Sequence, residues 1–273
     1  MVEDLTRAWG RAFEDHPVWT AAATPAYDIP GVAAVIAARG AATNFSHFLA
    51  DTLPRIQLIR DSGTDVDTWI VSSVDHTWQR DGLDRAGIPV SRVIALTETP
   101  WISARTLLVP SRTGFAPLTA PWARDRLTRL LELEPRRRHR KLLLSRSQAT
   151  RRRLLNEDQL FEALAPCGYE RVHFDGMPLI DQLRLIHEST DIVATHGSAL
   201  GHLLHAPRGG HVVEIVNPSI VPPDARGLAA VAGWTHTLIP ATPTPGLDDT
   251  EVVNQDLHVD VDALVGCLTG KHC

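Results

Sequence analysis

The sequence predicts an α/β protein with two parallel sheets, each covered by helices and facing the other across a cleft. Strand-like and helix-like segments alternate in both halves of the chain, which is the pattern of Rossmann-like lobes. The 273 residues are enough for two small lobes. With 44% hydrophobic and 22% charged residues, the composition is that of a globular protein. A binding site is expected between the lobes, at the carboxyl ends of their strands.

The first half of the chain has one strongly periodic segment among short apolar runs. Residues 44–60 predict a helix, because apolar residues recur there at spacings of three and four. The Gly-, Pro- and Thr-rich residues 111–122 predict a linker, which divides the chain into lobes 1–115 and 116–273. The other elements predicted here are strands at 32–37, 67–73, 92–96 and 104–110, and a helix at 75–88.

The second half alternates more clearly. Asn156 is expected to cap a helix that ends before Gly168. The predicted strands are 141–147, 169–174, 191–195 and 211–216; the predicted helices are 156–168, 178–190, 197–206 and a closing helix at 259–270.

Charge and cysteine content exclude several classes of protein. The net charge of -5 and the absence of aromatic residues among the arginine clusters argue against a nucleic-acid partner. No apolar run approaches the length of a membrane span, and the N-terminus lacks the pattern of a signal peptide. The three cysteines are widely separated, which predicts reduced thiols and a cytoplasmic location.

The arginine-rich clusters at 136–141 and 151–153 are either solvated surface charge or arginine forks around a phosphate.

Three segments follow strands of the second lobe and carry polar residues that suit an anionic, sugar-containing ligand. In "LLLSRSQATRRRLLNED", arginines and a helix start could bind a diphosphate. In "ATHGSALGHLL", Gly197 lets an anion approach the backbone at a tight turn before a helix. Glu214, near the end of "HVVEIV", could hold a ribose diol or form a structural ion pair.

In their order and spacing, these segments resemble the C-terminal half of glycosyltransferase family 61, and "NFSHFLADTLPRI" resembles the N-terminal segment of the same family. The resemblance covers roughly residues 40–218. It implies a GT-B fold with a shortened N-terminal lobe, and inverting, metal-independent sugar transfer from a nucleotide-sugar donor, without a cofactor. The acceptor would be a glycan or another hydroxyl compound, as in surface or capsular polysaccharide synthesis.

The resemblance also assigns donor-binding roles to residues of the second lobe. Ser145, Arg146, Arg152 and Arg153 would hold the diphosphate, with Asn156 and Glu157 supporting their loop. His196, Gly197, Ser198 and Ala199 match the family's His-Gly-Ala-Gly turn, and Glu214 matches its strand-end glutamate. The chain departs from that turn at Ser198, where the family has Ala, and at Ala199, where it has Gly. The first change is mild, and the second reduces backbone freedom next to the phosphate.

His47 and Asp51 are the candidates for the general base. They lie four residues apart on one face of the predicted helix 44–60. An imidazole with an ordinary pKa of about 6.5 is a ready base at neutral pH. The alternative is that His47 packs within the first lobe and that Asp51 is its hydrogen-bond partner.

Three other functions compete with sugar transfer. A metal hydrolase would draw on His196, His202, His205 and His211, whose spacing matches no established zinc motif. Ser198 as an acyl-transfer nucleophile lacks the G-x-S-x-G pattern. A degenerate, non-catalytic nucleotide-sugar-binding protein would keep the donor cleft. Unless the protein is a metal hydrolase, His202 and His205 are expected to have packing or surface roles.

Overall fold

The first half of the chain folds around a four-stranded parallel sheet. The computed structural model describes residues 27–98, 101–113, 120–131, 133–244 and 252–269. In this half the strands are β1 (Tyr27–Val35), β2 (Thr68–Val71), β3 (Val93–Ala95) and β4 (Ile102–Leu108). The helices are α1 (Phe45–His47), a π-helical segment (Phe48–Thr52), α2 (Leu53–Asp61), α3 (Thr77–Arg85), a 3-10 turn (Val90–Arg92) and α4 (Pro121–Leu131).

The second half folds around a five-stranded parallel sheet and ends in a short two-stranded ribbon. Its sheet strands are β5 (Arg140–Leu144), β6 (Tyr169–Val172), β7 (Ser189–Thr195), β8 (His211–Val216) and β9 (Thr235–Pro240); β10 (Thr242–Pro243) and β11 (Leu257–His258) form the ribbon. Its α-helices are α5 (Glu157–Leu164), α6 (Leu179–Glu188), α7 (Asp224–Ala232) and α8 (Val261–Leu268). The 3-10 segments are Ala165–Cys167, Ser198–Leu204 and Val252–Asn254.

Strand order in both sheets is that of Rossmann-like units. The first sheet runs β3-β2-β1-β4 and the second β6-β5-β7-β8-β9, and every neighbouring pair is parallel. In the second sheet the order reverses between β5 and β7, which is the position at which ligands bind in open α/β sheets. The α/β prediction is therefore confirmed at the level of parallel, Rossmann-like sheets.

The helical segment from α1 to α2 joins the two halves. Asn44 caps it, because its side-chain oxygen accepts hydrogen bonds from the backbone of Ser46 and His47. The apolar residues that predicted this helix are buried in the largest core cluster, which also contains Leu142, Leu203 and other residues of the second half. The segment contacts the Ser198–Leu204 turn so closely that a Cβ on Gly201 would lie 2.8 Å from Ser46 Cα. Packing across the two halves thus fixes one against the other.

Several local predictions need correction. Residues 121–122 of the predicted linker begin helix α4, while 114–119 lie outside the described residues. The segment 197–206 forms a 3-10 rather than an α-helix. Asn156 precedes α5 but makes no capping bond, because its side chain instead bonds the backbone of Val259. Helices α4 and α7 and strand β9 were not predicted.

In the described ranges, no helix has the length and apolar character needed to cross a membrane.

Candidate active site

The loops after β5 and β7 lie next to each other at the carboxyl edge of the second sheet. Ser145 and Arg146 follow β5, and His196 and Gly197 follow β7. Because β5 and β7 are the adjacent strands at which the order reverses, both loops border the crevice that such a sheet offers to a ligand.

A buried carboxylate anchors the loop after β5. Glu157, the first residue of α5, accepts hydrogen bonds from the Ser145 hydroxyl and from the Arg146 backbone N–H, the second at 3.0 Å. Both Glu157 and Ser145 are buried. Glu157 therefore fixes the segment that carries Arg146.

Two arginines bring buried positive charge to this loop. Arg146 Nε donates to the Arg152 carbonyl at 3.2 Å, and Arg152 has a left-handed backbone with φ of 55°. Burial lowers the pKa of both guanidinium groups, and the charges of Arg146 and Arg151 lower the pKa of Arg152 further, to about 10. The buried Nε of Arg152 has no hydrogen-bond partner among the described residues. An anionic ligand would compensate this charge.

The turn after β7 packs against Arg146. Gly197 is extended, with φ of 176° and ψ of 171°, so it is not required there for its backbone angles. A Cβ on Gly197 would instead collide with Nη1 of Arg146. The turn and the arginine loop can approach each other only because this side chain is missing.

His196 is held by a carboxylate that is shared with a second histidine. His196 Nδ1 lies 2.6 Å from Glu214 Oε1, and His236 Nε2 lies 2.8 Å from Glu214 Oε2. Burial raises the pKa of Glu214, but the hydrogen bonds from His196 and His236 outweigh it and bring the pKa below its usual value. Glu214 is therefore an ionised acceptor for both rings.

The helical segment of the first half contributes a second histidine–carboxylate pair. His47 Nδ1 lies 2.8 Å from Asp51 Oδ2; Asp51 belongs to the π-helical segment and His47 directly precedes it. The hydrogen bond to Asp51 raises the pKa of His47 above its usual value against the effect of burial, and the charges of Asp51 and Asp224 add to this. Since Nδ1 is engaged, Nε2 is the ring atom left for a substrate.

A cavity of about 430 Å³ brings the two halves of the site together. Its first wall carries His47, Asp51 and Ser46 from the α1–π segment. The opposite wall carries Arg152 and the turn after β7, together with the loop before α7. Its lining residues from the second half include Arg152, His196, Gly197, Ser198, Pro222, Pro223 and Asp224. One space is thus lined by the His47–Asp51 pair of the first half and by Arg152 and the turn after β7 of the second.

Residues 45–213, more than half of the chain, match the family described as Glycosyltransferase 61. The chain belongs to glycosyltransferase family 61. No curated protein matches it. Family membership supports transfer of a sugar from a donor to an acceptor.

Six of the predicted site residues line the cavity of this family 61 glycosyltransferase: His47, Asp51, Arg152, His196, Gly197 and Ser198. Ser145, Arg146 and Glu157 lie behind the cavity wall and support it through the contacts described above. Asn156 ties its loop to Val259, and Ala199 packs beside the apolar core.

Two of the predicted donor residues bond neighbouring side chains. Arg153 Nη2 lies 2.6 Å from Asp256 Oδ2, and Arg153 does not line the cavity. Glu214 lies two residues inside β8, is fully buried and uses both oxygens for histidines. These partners are residues that the sequence places far away, and a donor role for either side chain stays a prediction.

The cluster at 136–141 does not gather around a phosphate. Arg136 and Arg140 pair with Glu188, and Arg138 donates to the carbonyls of Ser189 and Arg208. These arginines brace the start of β5 against neighbouring segments.

His202 and His205 are buried packing residues, which excludes a surface role. His202 Nδ1 lies 2.7 Å from His205 Nε2, and His202 Nε2 lies 2.9 Å from Gln182 Oε1. Since the amide oxygen only accepts, His202 donates from Nε2 and accepts from His205 at Nδ1. Burial lowers the pKa of His202 to about 3, so the ring is neutral. No group of three or more metal-ligating side chains was found within the described ranges.

Sequence reasoning missed Asp224, Pro222 and His236. Pro222 lies in a loop and Asp224 begins helix α7, which was not predicted; only the folded chain brings both to the cavity that His47 also lines. His236 belongs to β9, which was not predicted because "THTLIP" has neither a long apolar run nor a regular alternation.

Proposed function

We propose that this family 61 enzyme transfers a sugar from a nucleotide-sugar donor to a hydroxyl of a glycan or small molecule, with inversion at the anomeric carbon and without a metal cofactor. The observation that carries the proposal is the shared cavity, in which the His47–Asp51 pair faces Arg152 and the His196–Gly197 turn. A GT-B arrangement follows, with the donor on the second sheet and the acceptor beside the α1–π segment. A role in surface polysaccharide synthesis and a cytoplasmic location belong to the same proposal.

The donor's diphosphate would lie against Arg152. The partly buried guanidinium, whose Nε has no hydrogen-bond partner among the described residues, supports this placement, and Arg146 adds positive charge from behind the turn. As the bond between the anomeric carbon and the phosphate oxygen breaks, negative charge grows on the leaving diphosphate. Fixed positive charge next to that oxygen stabilises the transition state more than the ground state.

His47 would remove the proton of the acceptor hydroxyl. Its Nε2 accepts the proton, while Asp51 holds Nδ1–H and stabilises the imidazolium that forms. The base must be neutral before it acts. Because the hydrogen bond to Asp51 raises the pKa of His47, activity is expected to rise with pH through a midpoint above 6.5.

Removal of the base tests this mechanism. His47→Ala is expected to lower kcat by about 10²- to 10⁴-fold while donor affinity changes little. Turnover is followed by mass spectrometry, and donor binding by thermal shift over a panel of nucleotide-sugars. His139→Ala is the matched control, since the ring of His139 contacts the carbonyl of nearby Arg137 and His139 does not line the cavity.

The same experiment separates the second candidate, a non-catalytic nucleotide-sugar-binding protein. The shortened first lobe favours this alternative. A binder would show thermal stabilisation by a nucleotide-sugar with neither transfer nor donor hydrolysis in the wild-type protein. Full activity of His47→Ala would refute the assigned base, and lack of response to every nucleotide-sugar would refute both candidates.

A further inference from the structure

Three residues form a hydrogen-bonded row across three adjacent strands of the second sheet. His196 follows β7, Glu214 lies on β8 and His236 lies on β9. Their side chains join as His196 Nδ1–Glu214 Oε1 and Glu214 Oε2–His236 Nε2, at 2.6 and 2.8 Å. The His196 side chain is 18% exposed, Glu214 in the middle of the row 0%, and His236 at the far end 10%. The carboxylate is therefore enclosed between the two rings, with His196 at the cavity end.

The row has a defined direction of donation. Glu214 is ionised, so both histidines donate to it: His196 from Nδ1 and His236 from Nε2. This leaves Nε2 of His196 as the atom available on the side of the cavity. His196 also lines a second, smaller cavity together with Arg152, so its ring lies at the junction of two spaces.

We propose that His236 is a positioning residue that acts on His196 through Glu214. By holding Oε2, His236 fixes the plane of the carboxylate, and Oε1 then sets the orientation and the proton affinity of the His196 ring. The proposal rests on the proposed function in one respect, namely that Nε2 of His196 meets the donor's diphosphate. The hydrogen bonds that His236 and His196 donate to Glu214 are present in the ligand-free protein and do not depend on that function.

A bland alternative is that the row only stabilises the sheet. Two features favour a positioning role. The Glu214 carboxylate is fully buried, and among the described residues the two histidines are its hydrogen-bond donors. Each histidine therefore stabilises the negative charge on one of its oxygens. Moreover, one end of the row reaches the cavity that contains the proposed reacting groups.

Other charges also face the row. Arg152 lines both cavities with His196, and Arg146 packs on the adjoining Gly197. His211 is close enough to His236 for the charge of His236 to lower the pKa of His211. Asp191 acts on His211 in the opposite sense. These groups remain in place when His236 is replaced, so a change in His196 can be traced to the lost donor.

The test compares His236→Phe, His236→Gln and Thr237→Val. Phenylalanine keeps the ring but removes the donor, and glutamine restores an amide donor. Thr237 lies on the same strand and bonds His211 rather than Glu214, so its replacement is the matched control. The titration of His196 is followed by NMR on the ligand-free protein, with His196→Asn used for assignment. Donor KM and kcat are measured against pH.

In His236→Phe the buried carboxylate loses one donor and attracts the proton of His196 more strongly. The titration midpoint of His196 is expected to rise by roughly one pH unit. Donor KM should rise about tenfold, with a smaller change in kcat, because the ring no longer holds its orientation. His236→Gln should restore the wild-type midpoint and KM to within about twofold, and Thr237→Val should change neither.

The proposal is overturned if His236→Phe leaves the midpoint and donor KM where Thr237→Val leaves them, or if glutamine fails to restore them. Should the phenylalanine variant not fold, His236→Asn replaces it, since the shorter amide cannot reach Glu214. Equal titration of His196 in the asparagine and glutamine variants would then overturn the proposal. If the midpoint moves as expected while the wild-type protein turns over no nucleotide-sugar, the proposed function fails and the positioning role stands.

Discussion

Arg152→Met should make the ligand-free protein more stable and weaken its binding of diphosphates. Arg152 is charged in both the folded and the unfolded state at neutral pH. Its folded-state pKa is lowered, so its charge destabilises the fold, and the penalty is relieved only as pH rises above about 10. Methionine is unbranched and uncharged, although shorter than arginine, and it occupies the same left-handed backbone position, so the main change is loss of the guanidinium charge.

The magnitude follows from the lowered pKa. The fall from 12.5 to about 10 corresponds to roughly 3 kcal/mol. We reduce this to about 1.5 kcal/mol, because the guanidinium is partly exposed and screened by solvent. For a chain of this size that is a rise in Tm of roughly 3–6 °C. Loss of a charge-assisted hydrogen bond should weaken diphosphate binding by about 10- to 150-fold.

Calorimetric unfolding and titration with a panel of nucleoside diphosphates check both parts. Arg153→Met is the matched control: Arg153 is the next residue, but it pairs with Asp256 and does not line the cavity. Arg153→Met should leave the affinity for diphosphate unchanged and should not raise the Tm. The reasoning would be refuted if Arg152→Met were less stable than the wild-type protein and bound diphosphate as tightly as Arg153→Met does. Arg152 would then not carry an uncompensated charge.

Two further predictions concern the charge that acts on His47 and the packing between the two halves. Asp224→Asn removes a charge that raises the pKa of His47, so the NMR titration of His47 and the acidic limb of the activity profile should both move to lower pH; an unchanged midpoint would contradict the effect of that charge. Gly201→Ala places a Cβ 2.8 Å from Ser46 Cα and should destabilise the protein by about 1–3 kcal/mol in urea unfolding. Gly63→Ala is a control for added bulk, since nothing lies within 4 Å of its Cβ position; because Gly63 has a φ of +69°, only a loss in Gly201→Ala beyond that control counts as steric.

Much of the fold could be predicted because its strands are short apolar runs separated by turn residues. All four strands of the first sheet were predicted within a few residues, as were four of the five in the second. β9 escaped because it is half exposed and carries polar residues. The 3-10 form of Ser198–Leu204 could not be predicted from spacing, since its closeness to Ser46 and the buried His202–Gln182 contact are tertiary constraints.

The candidate site could be predicted in part for a similar reason. Residues at the carboxyl ends of parallel strands meet at one edge, so Arg146 and His196 could be placed together from the sequence. Arg153 could not be separated from Arg152 in this way. The two are chain neighbours of the same type, and only Asp256, 103 residues later, turns one of them away.

The sequence by itself determined the alternation of strands and helices, the residues that follow the strands, and the His47–Asp51 spacing, since each depends on local periodicity and chain order. The tertiary structure alone decided which groups share the cavity and which are already neutralised. Glu214 illustrates this difference. Both the sequence and the structure place its carboxylate near the end of a strand, but its hydrogen-bond partners come from one neighbouring strand and from the loop that follows the other. Whether a charge meets a ligand or a neighbouring side chain depends on contacts between residues that are distant in sequence.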